Sequence, residues 1–146
     1  MNLTAVGLTE SNLPELWPFI RTQLMRVEDR NGCALLPEEA FASWKAGISA
    51  INALYWGDDL FGVVVLQNTK RDDKKNELWV WAMALDGIAT TDQLGELNDW
   101  LKWFCRSINA SSVAMKSSRK GWGRFLTNYG WEPTLIEYKL EVSDGQ

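Results

Sequence analysis

The sequence predicts an α/β (α+β) fold, a mixed, twisted β-sheet with helices on both faces. The main observation is that apolar runs of strand length alternate with helical patterns, in the order β-α-α-β-β-β-α-β-α-β. A second is the run Leu78 to Leu85, which is apolar at every position, as in a strand covered on both faces. With 146 residues, 46% hydrophobic and 23% charged, the chain is predicted to form one domain over residues 1–146.

The first half of the chain predicts one strand and two helices. The strand covers Leu3–Leu8. A first helix begins at Asn12-Leu-Pro-Glu15, where Asn is a favoured cap and Pro suits the first turn. A second helix opens at Pro37. Its predicted buried face is apolar and consists of Phe41, Trp44 and Ile48, with Ile51 as a further candidate.

The centre of the chain predicts three strands. They cover Ala53–Trp56, Leu60–Gln67 and Glu77–Leu85, and the first two are joined by a Gly57-Asp58-Asp59 turn. The mixed charges between residues 68 and 76 indicate a solvated hairpin tip.

The last part of the chain predicts two helices and two strands. Thr90-Thr-Asp-Gln93 has the pattern of a capping box that starts a helix. The buried face of that helix is predicted to include Cys105 as a free thiol and to be widened by Trp100 and Trp103. The remaining elements are predicted at Ser112–Lys116 (strand), Ser118–Asn128 (helix) and Ile136–Val142 (strand).

Composition excludes several classes of function. There is no histidine and there are two cysteines, so an ordinary zinc site and a histidine-dependent nucleophile are not expected, and we predict no metal. A net charge of −4 gives no electrostatic footprint for nucleic acid. No apolar run approaches the length of a membrane span, so no membrane association is predicted, and we expect a cytoplasmic location in a bacterial cell, or a virion.

The C-terminal third carries a resemblance to a known fold. A strand at Val113–Lys116 and a helix that ends at Tyr129-Gly-Trp131, followed by a returning strand, resemble the end of the GNAT fold of N-acetyltransferases. The order of elements over nearly the whole chain is similar to that fold. In addition, Arg124-Phe-Leu-Thr-Asn-Tyr-Gly130 is similar to a segment of small GNAT-like proteins of tailed bacteriophages, including virion proteins.

The resemblance implies an acetyl-CoA site between the fourth and fifth strands. It implies that the pantetheine arm lies along the fourth strand and the pyrophosphate lies over the loop and helix start that follow. Arg119, within the basic cluster Lys116, Arg119, Lys120 and Arg124, would meet the nucleotide end. The predicted cofactor-binding residues are Met83, Leu85, Gly87, Ala89, Thr90, Thr91 and Arg119.

The sequence departs from the family pattern where chemistry is concerned. The loop Asp86-Gly-Ile-Ala-Thr-Thr-Asp92 has no leading Arg or Gln, and its two carboxylates oppose a bound pyrophosphate. Leu126 stands where many members have a catalytic tyrosine, and Tyr129 is interpreted as a core or cap residue. Glu77 is a weak candidate for a base, so no catalytic residue is predicted.

Three functional hypotheses follow. The first is a divergent, phage-encoded GNAT-fold protein that acts by protein contact, with little or no catalysis. It would be a virion component or a modulator of a host protein, and it would bind a protein partner or a second copy of itself. The nine Trp residues indicate either a very aromatic core or a contact surface, and under this hypothesis some of them would be exposed. The alternative is an acetyl-CoA-dependent N-acetyltransferase with a non-standard cofactor loop. The third is an unrelated α/β binding module.

Overall fold

The described residues form a mixed sheet of five strands in the order β1-β2-β3-β4-β5. The computed structural model describes residues 2–31, 36–71, 73–115, 126–132 and 140, without the side chains of 28–31. The strands are β1 (Leu3–Gly7), β2 (Ser49–Trp56), β3 (Asp59–Lys70), β4 (Asn76–Leu85) and β5 (Ser112–Met115). The first four pair in antiparallel fashion, and β5 runs parallel to β4.

In the described part of the chain, the helices that cover the sheet are α1 (Leu13–Asn31), α2 (Pro37–Lys45) and α3 (Thr91–Ser107). The predicted α/β fold class is confirmed. The predicted last strand, Ile136–Val142, lies almost wholly outside the described residues. Of the predicted last helix, only residues 126–128 are described, and they are helical.

Two apolar cores lie on opposite faces of the sheet. On one face, α1 packs through Ile20 and Leu24 against strand residues such as Val63. On the other face, α3 packs through Leu97 and Leu101 against a second set of strand residues, such as Val64. Because β3 and β4 contribute to both cores, they are buried on both faces, as the uninterrupted apolar run in β4 predicts.

Helix α2 is shorter than the sequence predicts. It ends at Lys45, and Gly47 adopts a φ of 78°. The Gly47 N–H donates to the Trp44 carbonyl at 3.0 Å, and the Ile48 N–H donates to the Ser43 carbonyl at 2.9 Å, which is a Schellman ending. The prediction that Ile48 and Ile51 lie on the buried face of this helix is therefore wrong. Ile48 is 64% exposed, and Ile51 is buried in β2.

The start of α1 also differs in detail from the prediction. The Asn12 side chain does not cap the helix, because its Oδ1 accepts from the Thr9 N–H at 2.7 Å and its Nδ2 donates to the Gly7 carbonyl at 3.0 Å. The side chain thus fixes the turn that precedes the helix.

Helix α3 begins as predicted. The Thr90 Oγ1 accepts from the Gln93 N–H at 3.1 Å, and the Gln93 Oε1 accepts from the Thr90 N–H at 2.8 Å, which completes the capping box. Cys105 is a buried free thiol, as predicted. Trp103 does not widen the buried face, because its side of the helix turns outward and the residue is 60% exposed.

Candidate cofactor site

Among the described residues, the parallel pairing of β4 with β5 covers the first half of β4. The described pairs run from Glu77↔Ser112 to Val80↔Met115. Immediately afterwards the pairing of β4 with β3 shifts, since Val65 pairs with Ala82 whereas Leu66 pairs with Val80. Trp81 is the extra residue, and such a bulge bends its strand and increases its twist. The bend therefore begins where the described contact with β5 ends.

Beyond the bulge, β4 presents a main-chain edge away from β3. The Asp86 N–H donates to the Phe61 carbonyl at 2.6 Å, which identifies these two residues as a hydrogen-bonded antiparallel pair. Main-chain groups alternate between the two edges of a strand, so those of Met83 and Leu85 point away from β3, on the β5 side. The Met83 side chain is buried in the core beneath α3. Only its main chain is thus placed to meet a ligand.

The strand leads directly into a turn and the N-terminus of α3. Gly87 has a φ of 72°, and a side chain is strained in that conformation. The capping box uses the N–H groups of Thr90 and Gln93. Helix geometry leaves the N–H groups of Thr91 and Asp92 without intrahelical acceptors. These N–H groups and the positive end of the helix dipole together favour an anion.

The loop is less acidic in its surroundings than the sequence indicates. An Arg26 guanidinium from α1 lies at 2.8 Å from the Asp86 carboxylate, Nη1 to Oδ1. The Arg26 charge therefore offsets that of Asp86, whereas Asp92 has no ion pair among the described residues. No local sequence pattern points to Arg26, because it lies 60 positions from Asp86 along the chain.

The segment 126–132 docks onto α3. The Tyr129 hydroxyl donates to the Thr91 carbonyl at 3.2 Å, and its ring lies 3.5 Å from a Cβ built on Gly95. The Trp131 Nε1–H donates to Oδ1 of the buried Asn98 at 2.7 Å. Tyr129 thus packs against the first two turns of α3 and is half-buried, so it is not a fully buried core residue.

The structure gives Glu77 a structural contact. Its Oε2 accepts from the Ser112 hydroxyl at 3.1 Å, at the end of β4 opposite to the Gly87 turn. Leu85 lies eight positions after Glu77 along the strand, a span of about 26 Å. Leu126 is half-buried and its carbonyl accepts from the N–H of Tyr129 at 3.1 Å. Arg119, like the rest of the predicted basic cluster, lies outside the described residues.

The described residues contain neither a cluster of metal-binding side chains nor a helix suited to crossing a bilayer. No group of three or more His, Cys, Asp or Glu side chains there is arranged to hold a metal ion. No helix in that part of the chain is both long and apolar enough to span a bilayer.

Comparison with solved structures identifies the fold. A probable acetyltransferase superposes with a TM-score of 0.70 at 17% identity, over 97% of this chain and 99% of its own. An aminoglycoside acetyltransferase from an uncultured soil metagenomic sample, solved with sisomicin, gives 0.70 at 11% identity, over 97% of each chain. A GNAT family acetyltransferase from Staphylococcus aureus gives 0.66 at 10% identity, over 97% of this chain and all of its own (100%).

These matches establish that the chain has the GNAT fold over nearly its full length. No protein-family model matches the sequence, and no curated protein matches it significantly. The three solved structures are acetyltransferases by name, and none of those names mentions a bacteriophage or a virion.

Proposed function

We propose that this protein is an acetyl-CoA-dependent N-acetyltransferase with a non-standard cofactor loop. The observation that carries the proposal is the continuity of three features. A main-chain edge of β4 that no described strand covers leads into the Gly87 turn, and the turn leads into the N–H groups of Thr91 and Asp92 at the start of α3. The acetyltransferases that share the fold support the same assignment.

The described residues fit an elongated ligand with an amide-containing arm and a diphosphate. The main-chain groups of Met83 and Leu85 can pair with amides of the arm as a neighbouring strand would. The N–H groups of Thr91 and Asp92 can donate to a phosphate oxygen. Ala89, half-buried between Gly87 and Thr90, keeps the loop free of bulk. When bound, acetyl-CoA supplies a thioester-activated acetyl group.

The acceptor in this proposal is an amine. One structural neighbour was solved with the aminoglycoside sisomicin, which makes aminoglycosides the first acceptors to test, followed by polyamines and peptides. We assign none of the described carboxylates or tyrosines as the base, and the Glu77 carboxylate accepts a hydrogen bond from the Ser112 hydroxyl. A positioned acid or base contributes about 10²–10⁴ in rate, so we expect slow turnover that increases with pH as the acceptor amine loses its proton.

The first test measures the effect of acetyl-CoA on the melting temperature. At a ligand concentration of about 100 times Kd, binding adds about 2.7 kcal/mol to the free energy of unfolding. For a chain of this size that is an increase of about 5–10 °C. No increase at millimolar acetyl-CoA would contradict the proposal.

A matched pair of glycine variants tests where acetyl-CoA binds. Gly87 and Gly57 have similar positive φ angles, 72° and 61°, and a Cβ built on either meets nothing within 4 Å. Gly87→Ala and Gly57→Ala should therefore lower the melting temperature by similar amounts. Only Gly87→Ala should weaken acetyl-CoA binding, by about tenfold, because its methyl group stands where the backbone approaches the phosphates. Equal affinities in the two variants would place the ligand elsewhere.

A further inference from the structure

We propose that Arg26, on α1, is the cationic residue of the diphosphate site and takes the place of a basic side chain within the loop itself. This inference rests on the proposed function. The observation behind it is the ion pair between Arg26 and Asp86, the residue at which β4 passes into the loop.

Hydrogen bonds hold the guanidinium of Arg26 in place, but they do not use all of its N–H donors. Its Nη1 donates to Asp86 Oδ1 at 2.8 Å and to Gln23 Oε1 at 3.4 Å. Gln23 is 3% exposed, so this acceptor is fixed by the core beneath it. Within the described part of the chain, Nη2 and Nε of Arg26 have no partner, and the side chain is 42% exposed. Donors therefore remain for a second anion, in the fork geometry that suits phosphate.

The charge balance favours the same role. Without Arg26, the loop would present the carboxylates of Asp86 and Asp92 to a diphosphate. With Arg26 present, an ion pair offsets the negative charge of Asp86, and the Asp86 carboxylate also holds the guanidinium beside the loop. One unit charge about 5 Å from a phosphate in a largely aqueous setting changes affinity by about five- to twentyfold.

The test is a double-mutant cycle read by calorimetry with acetyl-CoA. Arg26→Met should weaken binding by about five- to twentyfold. Asp86→Asn should bind acetyl-CoA as tightly as wild type or more tightly, because it removes a negative charge. The double variant should lie between the two single variants. Arg26→Lys retains the charge and should lose only part of the affinity.

Arg21→Met is the matched control. Arg21 lies on the same helix as Arg26 and is similarly exposed. It forms an ion pair with Glu38, which is distant in sequence from the Asp86–Asp92 loop. It should leave the affinity unchanged. The loss in Arg26→Met should also shrink between about 0.05 M and about 0.5 M NaCl, since salt screens an exposed charge, whereas a purely structural effect would persist.

The outcomes separate this inference from the proposed function. If wild type binds acetyl-CoA and Arg26→Met binds it as tightly as Arg21→Met does, the role of Arg26 is refuted and the proposed function stands. If wild type does not bind acetyl-CoA, both are refuted. A salt-independent loss would also refute the cationic role.

Discussion

Substitution of Gly62 by Ala tests how closely β3 and β4 approach each other next to the site. Gly62 pairs with Leu85, the last residue of β4. A Cβ at Gly62 would lie 2.6 Å from Leu85 Cδ2, 2.9 Å from the Ala84 carbonyl oxygen and 3.4 Å from Leu54 Cδ1. The leucine at position 85 can rotate away, but the carbonyl oxygen belongs to the strand, so the backbone has to move.

Overpacking of this kind costs about 1–3 kcal/mol. For a chain of this size we expect the melting temperature of Gly62→Ala to fall by about 3–9 °C, measured by calorimetry. Adding Leu85→Ala removes the closest contact and leaves the one with the Ala84 carbonyl. The double variant should therefore lose less stability than the sum of the two single variants.

Gly7→Ala is the control for this experiment. Gly7 also lies in a strand, but a Cβ there meets only Asn52 Oδ1, at an ordinary 3.6 Å. It should be neutral, or stabilising by up to about 1 kcal/mol because the unfolded chain loses freedom. Equal melting temperatures for Gly62→Ala and Gly7→Ala would refute the steric argument.

Two further predictions concern α3 and the segment docked on it. Trp131→Phe removes the N–H donor to Oδ1 of the buried Asn98 and should lower the free energy of unfolding, measured by urea denaturation, by about 1–3 kcal/mol. Trp103→Phe, at an exposed position, is the control and should change it by less than about 0.5 kcal/mol. Burial raises the pKa of the Cys105 thiol above its usual value of 9.0. The folded protein then keeps a proton that the unfolded chain releases, so stability should fall as pH increases above about 9. The decrease between about pH 8 and about pH 10 should be smaller in Cys105→Ala, and an identical decrease would contradict the assignment.

Features that depend only on residues close together in the sequence could be predicted from it. The capping box at Thr90 and Gln93 is a local pattern, and it starts α3 as expected. The strands of the β3–β4 hairpin were predicted within a few residues, because apolar runs separated by a charged segment have few alternatives. The end of α2 was mispredicted although Gly47 is a local signal, since the apolar residues Ile48 and Ile51 continue the helical spacing.

The candidate site depends on contacts that no local pattern contains. Arg26 meets Asp86 across 60 positions, and Trp131 meets Asn98 across 33. The bulge at Trp81 has no sequence signal either. Every residue from Leu78 to Leu85 is apolar, so no alternation of polar and apolar residues shows where an extra residue breaks the ladder. The predicted cofactor residues Met83, Leu85, Gly87, Ala89, Thr90 and Thr91 stay a prediction.

The two halves of β4 differ in their main-chain pairing, although side chains in both halves are buried. Between Glu77 and Val80 the strand is paired on both edges, whereas among the described residues Met83 and Leu85 have a neighbouring strand on one edge only. Amide hydrogen exchange follows the opening of hydrogen bonds and not side-chain exposure. The amide of Met83 should therefore exchange its proton with solvent far faster than that of Val80, although both side chains are buried. A single strand would thus combine a protected half with a half whose exchange rate reports whether a ligand lies against it.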